Sequence, residues 1–252
     1  MNILDRALIE KTAMEHGWEN VLQSTSAEIV IASSRHRAQA KIIPDQQFGK
    51  WMVDLPGGLL QQELSRSFPL LPQNGCSFGV DGYACLALLL HRAAELALSL
   101  PDQAAVIFVE KVKQELAAIT SFDTEVERIV RQRVGQDTFR QALLDYWGGS
   151  CSVTGVNLPE ILRASHAKPW AECCTNEERL NVFNGFLLVA NLDALFDRGL
   201  ISFVESGEVI CSTCLEASQR SILQLTDNLK LRWIAPAHQP FLSWHRNKLF
   251  QR

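Results

Sequence analysis

The chain has no apolar run long enough to span a bilayer. Its greasiest stretch, residues 83–100, is interrupted by His91, Arg92 and Glu95, whereas about 20 largely uninterrupted apolar positions are needed. Its opening, Met1-Asn2-Ile3-Leu4-Asp5-Arg6, lacks the basic and then apolar profile of an export signal, so a cytoplasmic protein without a membrane partner is expected. Cysteine is sparse and scattered: the seven lie at 76, 85, 151, 173, 174, 211 and 214. An odd number without an export signal disfavours a disulfide framework. Cys211-Ser-Thr-Cys214 is the only CxxC, and no second pair completes the four ligands of a structural zinc. These two cysteines are therefore expected as small buried apolar positions on a strand. There is also no excess of positive charge: 24 Lys and Arg against 28 Asp and Glu leave a net charge of −4. That excludes a protein that coats nucleic acid by bulk attraction. Internal repeats and low-complexity tracts are lacking too.

What is present is a globular composition. With 252 residues, 47% of them hydrophobic and 21% charged, the chain can bury one large core or two modest ones. Its positive charge is concentrated locally. Residues 228–252 carry Lys230, Arg232, Arg246, Lys248 and Arg252 with no carboxylate, and Arg128, Arg131, Arg133 and Arg140 cluster upstream. Such patches suit a polyanion bound at one site, although a solvated charged face explains them equally well.

Asn2, with Asp5 and the apolar set Ile3, Leu4, Ala7 and Leu8, predicts a capped amphipathic helix to His16, stopped by Gly17. Residues 28–32, 38–43 and 50–55 are short alternating or β-branched runs, and predict a small antiparallel sheet closed by Pro56-Gly57-Gly58. A polar connection over residues 67–79 leads to an apolar helix over 82–100, and Pro101-Asp102 opens another to about Ala118. Residues 120–123 are the expected boundary, because Thr124 and Glu127 form a capping-box pattern that starts a new Arg-rich segment. Gly135 is expected to break that segment, and a second helix, 138–147, to stop at Gly148-Gly149. The organisation is thus α+β: an N-terminal domain over 1–120 and a C-terminal domain over 121–252.

The second domain carries the legible chemistry. Cys151-Ser-Val-Thr-Gly155 predicts a short strand and turn. Residues 161–170 predict a strand that Pro169 forces out of its sheet just past His166, leaving an imidazole at a strand end. Asn184-Gly185 follows an irregular polar stretch, a short helix from Ala190 closes at Gly199, and residues 200–203 and 208–211 flank Glu205-Ser-Gly207 as a hairpin.

The spaced motifs Ala164-Ser-His166-Ala-Lys-Pro-Trp170 and Asn184-Gly-Phe-Leu-Leu188…Asp193-Ala-Leu-Phe-Asp197-Arg-Gly199 resemble those of the HNH endonucleases, with their ββα-metal fold. Phe139-Arg140…Tyr146-Trp147, Cys151-Ser-Val-Thr-Gly155 and Trp244-His245-Arg246 extend the resemblance over residues 126–250, but not to the N-terminal domain. It implies His166 as the general base that takes a proton from attacking water, and Asn184 as the residue that pins the loop and orients the imidazole. It implies Asp193 as a metal ligand, and Asp197 is added as a second oxygen ligand by inference. Oxygen ligands favour Mg²⁺ or Mn²⁺ over zinc. The implied activity is divalent-metal-dependent hydrolysis of DNA phosphodiesters, with a role in restriction or defence. DNA is the expected partner, and a homodimer is left open. The chain departs from the pattern at Ser165, where many such enzymes place Asp or His directly before the base. Ser165 favours the alternative of a catalytically silent nucleic-acid-binding or regulatory protein that keeps the fold.

Each position also has a plainer explanation. A lone histidine more often satisfies a hydrogen bond than acts as a base, and an Asn-Gly pair is often only a turn. Lys168, Arg198 and Arg140 are read as phosphate contacts, with solvated charge the alternative. His238 and His245 are expected to pack or to bond backbone, and Trp147, Trp170 and Trp244 to anchor the core. The exposed-looking turn Ser33-Ser-Arg-His-Arg37 is the candidate for target recognition by the N-terminal domain.

Overall fold

The computed structural model describes residues 1–45, 50–117 and 124–252. The described chain divides into two compact units, Met1–Gln103 and Ala104–Arg252. The boundary expected at residues 120–123 lies outside the described residues.

The first unit opens with α1 (Ile3–Glu15), whose Asn2 side chain accepts the Asp5 amide as an N-cap, and Gly17 ends it at φ +94°. A six-stranded antiparallel sheet follows, built from β1 (Asn20–Ser24), β2 (Ile29–Ala32), β3 (Gln39–Pro44), β4 (Trp51–Asp54), β5 (Gln73–Asn74) and β6 (Ser77–Val80) in the order β1-β2-β3-β4-β6-β5. The three runs read from alternation are β2, β3 and β4. The alternation holds in β2 and β3, where Ile29, Ile31, Ala40 and Ile42 are buried on one face while Val30 and Lys41 are only partly covered, whereas β4 is buried continuously at Trp51, Met52 and Val53. β6 lies in the stretch read as a connection. At four residues, Ser-Phe-Gly-Val, it is too short to show a period, yet it pairs with both β4 and β5. α2 (Leu59–Ser67) falls between the Pro56-Gly57-Gly58 turn and that connection, in residues for which the sequence predicts no element. α3 (Tyr83–Ser99) and α4 (Pro101–Ala117) lie where the apolar pattern and proline place them. The turn at residues 33–37 is less open than its sequence suggests. Glu19 receives the Ser33 hydroxyl, the Ser34 amide and the Arg35 guanidinium, and His36 is buried edge-on against Trp18.

The second unit begins its well-packed part with α5 (Thr124–Tyr146), and here one expectation fails. Gly135 does not break the helix; α5 runs through it for 23 residues. The reason is tertiary. A Cβ at Gly135 would overlap the six-membered ring of Trp170, so glycine is kept for close approach and not for its backbone freedom. Gly135→Ala is therefore expected to destabilise by about 1–3 kcal/mol through overpacking. This outweighs the gain of up to about 1 kcal/mol in helix propensity, and denaturant unfolding would read the sign directly.

After α5, Gly148 and Gly149 turn the chain at φ +59° and +64°. Residues 151–155 are a tight turn and not the strand expected; Gly155 donates its amide back to the Cys151 carbonyl at 3.0 Å. An antiparallel ribbon then forms from β7 (Leu162–His166) and β8 (Gly185–Val189), with α6 (Asn176–Leu180) in the connection. α7 (Ala190–Asp197) packs along β7 and closes at Gly199, φ +66°. The hairpin β9 (Ile201–Phe203) and β10 (Val209–Cys211) pairs as expected. Cys211 is half-buried on β10, but Cys214 is exposed beyond it, which corrects the buried-strand reading of that cysteine. α8 (Ala217–Ile222) and α9 (Gln239–Lys248) complete the unit. His245 on α9 behaves as the packing residue expected: it is buried and stacked on Phe196 at 3.9 Å. Its ring bonds the Ser202 hydroxyl and the Phe196 carbonyl. Among the described residues no single helix is long and apolar enough to cross a membrane.

Candidate nuclease site

The β7–β8 register sets His166 opposite Gly185 and Ser165 opposite Phe186. Because strand side chains alternate in direction, the two consecutive residues serve different faces of the ribbon. His166 turns to the α5 face, where its ring stacks on Phe139 with centroids 3.7 Å apart and planes 15° apart. Trp170 meets it edge-on at 6.0 Å. Nε2 lies 2.9 Å from the Arg179 carbonyl oxygen. A carbonyl can only accept, so Nε2 carries the proton and Nδ1 keeps its lone pair. Burial against these rings pushes the imidazole pKa down to about 4, only partly opposed by the Arg179 hydrogen bond. The ring is thus neutral at physiological pH, with one nitrogen able to accept a proton. It borders a cleft of about 260 Å³ lined by Gln136, Asp137, Phe139, Arg140, Ala164 and Trp170.

Asn184 is fully buried. Its Oδ1 accepts the Lys168 amide at 2.8 Å, and its Nδ2 donates to the Lys168 and Glu178 carbonyls at 3.1 and 3.2 Å and approaches Cys173 Sγ at 3.4 Å. Both ends of the 168–179 loop are thereby tied to one side chain. Glu178 is followed immediately by Arg179, whose carbonyl holds His166. Asn184 itself makes no hydrogen bond to the imidazole among the described residues; its influence on that ring passes through the loop backbone.

Ser165 faces α7, where its hydroxyl donates to Asp193 Oδ1 in a very short hydrogen bond. Asp197 lies four residues further along the same helix face. Its side chain reaches the surface, yet desolvation and the neighbouring Asp193 charge push its pKa up to about 6, with Arg198 opposing weakly. Among the described residues neither carboxylate has an ion pair, and no three His, Cys, Asp or Glu side chains converge on one point. The donor set is therefore two carboxylates and one hydroxyl. That is too few and too hard for structural zinc, but it fits a hydrated oxygen-seeking ion such as Mg²⁺ or Mn²⁺, which keeps several waters.

The basic residues read as phosphate contacts are mostly engaged within the protein. Lys168 Nζ is 2.6 Å from Glu178. Arg140 donates to the Leu162 and Pro159 carbonyls at 2.8 and 3.1 Å while lining the cleft. On α5, Arg128, Arg131 and Arg133 pair with Glu125, Glu127 and Glu115. Arg232 donates to the Trp147 and Ser150 carbonyls. Arg198, Lys230 and Lys248 are exposed and have no ion pair among the described residues. The partners that sequence reasoning missed are Phe139, Arg179 and Glu178, which act on the site through a ring face, a main-chain oxygen and a loop ion pair. Of these only Phe139 left a trace, as part of a flanking motif.

A family model described as HNH endonuclease matches residues 151–204. No curated protein matches the chain. The matched segment contains the whole β7–β8 ribbon, α7, and with them His166, Asn184, Asp193 and Asp197. A family of nucleases implies a nucleic-acid substrate and, as HNH nucleases generally require, a divalent metal ion. Over residues 151–204 this chain is therefore similar to the HNH endonuclease family.

Proposed function

We propose that the protein is a divalent-metal-dependent endonuclease that hydrolyses DNA phosphodiesters, with Mg²⁺ or Mn²⁺ as the ion and restriction of foreign DNA as the setting that suits it. The carrying observation is the state of His166: neutral, held on three sides, its Nε2 proton engaged and its Nδ1 left with a lone pair. Such a ring removes a proton from water as that water attacks phosphorus, and the P–O3′ bond breaks to leave 5′-phosphate and 3′-hydroxyl ends. Asp193 and Asp197, on the α7 side of the ribbon while the imidazole faces α5, would hold the ion, which would stabilise the charge that develops on a phosphate placed across the end of β7 between the two faces. Asn184 keeps the 168–179 loop in place, and so keeps the Arg179 carbonyl on the imidazole. Incubation of the purified chain with plasmid and linear duplex DNA in Mg²⁺, Mn²⁺ or EDTA tests the reading. Cleavage that survives EDTA would overturn the metal-dependent mechanism, and binding without cleavage in either metal would favour the silent relative.

The two shifted groups make the acid limb of the pH profile diagnostic. His166 stays neutral down to about pH 4, whereas Asp197 takes up its proton near pH 6. Activity should therefore decline below about pH 6 through loss of metal, and raising Mn²⁺ should move the decline to lower pH. A decline that ignores metal concentration would point to a protonated base instead. Asp193→Asn should weaken Mn²⁺ binding in a calorimetric titration and depress cleavage. In the metal-free protein Asp197→Asn should raise the melting temperature at pH 7.5. A carboxylate whose folded pKa is raised destabilises the fold above that pKa, and the penalty vanishes below about pH 4, where folded and unfolded chains are both protonated. An unchanged Mn²⁺ affinity in Asp193→Asn would assign the ligand elsewhere.

A further inference from the structure

We infer that Phe139 is a positioning residue for the base, and that Gly185 is glycine so that Phe139 can reach it. The site is then assembled by α5, which lies outside the matched segment 151–204. This rests on His166 being the base of the proposed reaction.

The argument begins at the strand register. Gly185 stands directly across from His166 in the β7–β8 pair. A Cβ there would come within 2.5 Å of Phe139 Cζ, 2.7 Å of the Ser165 carbonyl oxygen and 3.2 Å of a Leu143 methyl. Gly185 has an extended backbone, φ −163°, which any residue can adopt, so conformational freedom does not explain the glycine. Close approach does: the Phe139 ring and the Ser165 carbonyl oxygen both occupy the place a side chain would take. Phe139 is itself buried, and its ring lies nearly flat on the imidazole, with planes 15° apart at 3.7 Å. The Arg179 carbonyl fixes one point of the His166 ring through Nε2. A single hydrogen bond leaves rotation about its own axis free. The flat face of Phe139 removes that freedom and sets the plane in which the Nδ1 lone pair points. A side chain that filled the same volume without a flat face would keep the packing and lose the plane.

The test separates those two roles. Phe139→Leu keeps the site apolar, and Phe139→Met fills more of the space of the ring without its flat face. In single-turnover cleavage of duplex DNA, Phe139→Leu should lower the rate by about 10- to 100-fold at unchanged DNA affinity, as expected for a misoriented reacting group. Phe139→Met should melt higher than Phe139→Leu while remaining equally slow. Relaxation of the ring ¹³C–H bonds of His166 provides a readout independent of cleavage: the wild type should show a rigid ring, and Phe139→Leu a ring that swings about the Nε2–O axis while keeping its Nε2 proton on the Arg179 carbonyl. Phe139→Leu with wild-type rate and a rigid imidazole would overturn the inference, as would recovery of rate in step with stability in Phe139→Met. Should the wild type fail to cut DNA under any metal, the reading of the site as a nuclease fails, and the mobility of the His166 ring alone still decides the role of Phe139.

Discussion

His166→Ala is expected to reduce DNA cleavage by at least about a hundredfold, and by as much as about 10⁴, while DNA binding measured in EDTA persists. The magnitude is that of general-base catalysis. In this protein the loss should sit at the upper end of that range. The imidazole is desolvated and preoriented by Phe139, Trp170 and the Arg179 carbonyl, so a bulk water that fills the vacated volume arrives without the same alignment. Binding should survive because affinity for a duplex comes chiefly from phosphate contacts, and His166 is neutral. Plasmid nicking under single-turnover conditions, paired with fluorescence anisotropy, separates the two quantities. Near-normal nicking in this variant would mean that another group removes the proton. A parallel loss of affinity would mean that His166 serves binding instead.

Asn184→Ala should be the most damaging substitution for the fold of the site. Its side chain is fully buried, and it bonds the amide of Lys168 and the carbonyls of Lys168 and Glu178. Truncation takes this partner from the Lys168 amide and the Glu178 carbonyl, and leaves the Lys168 carbonyl only the weak Cys173 thiol. Each orphaned group costs about 1–3 kcal/mol, and partial relaxation of the loop brings the total to about 2–4 kcal/mol. The functional loss should exceed what stability alone predicts, because residue 179 moves with residue 178 and its carbonyl holds His166. Denaturant unfolding should show the midpoint fall. Cleavage measured well below the new melting temperature should remain depressed by more than about tenfold. A variant that is destabilised but cuts normally once folded would reduce Asn184 to a purely structural pin.

Most of the elements were legible because their signals are local. The Asn2 cap, the alternation of β2 and β3, the proline that ends β7 after His166, and the Gly199 stop of α7 each depend on a few neighbouring residues. β6 and α2 were not, since a four-residue strand and a nine-residue helix offer too little periodicity. Gly135 was misread for a different reason. Glycine within a helical pattern reads as a break when only propensity is weighed, whereas here the deciding contact is the ring of Trp170, 35 positions away in the chain.

By itself the sequence determined that the chain is α+β, that a histidine stands at a strand end, and that two aspartates share one turn of a short helix. Spacing along a strand or helix is enough for each of these. Only the tertiary structure decided what those residues face. Strand alternation separates Ser165, bonded to Asp193, from His166, stacked on Phe139. The carbonyl that selects the imidazole tautomer belongs to Arg179, a residue whose side-chain identity does not matter for that bond. Lys168 reads as a phosphate contact and Arg128, Arg131 and Arg133 as a basic patch in sequence, but ion pairs within the protein occupy them. A pattern records which groups are available. Whether a charge is free, or a ring neutral, depends on partners that only the folded chain brings within about 4 Å, where desolvation and Coulomb terms are large enough to matter.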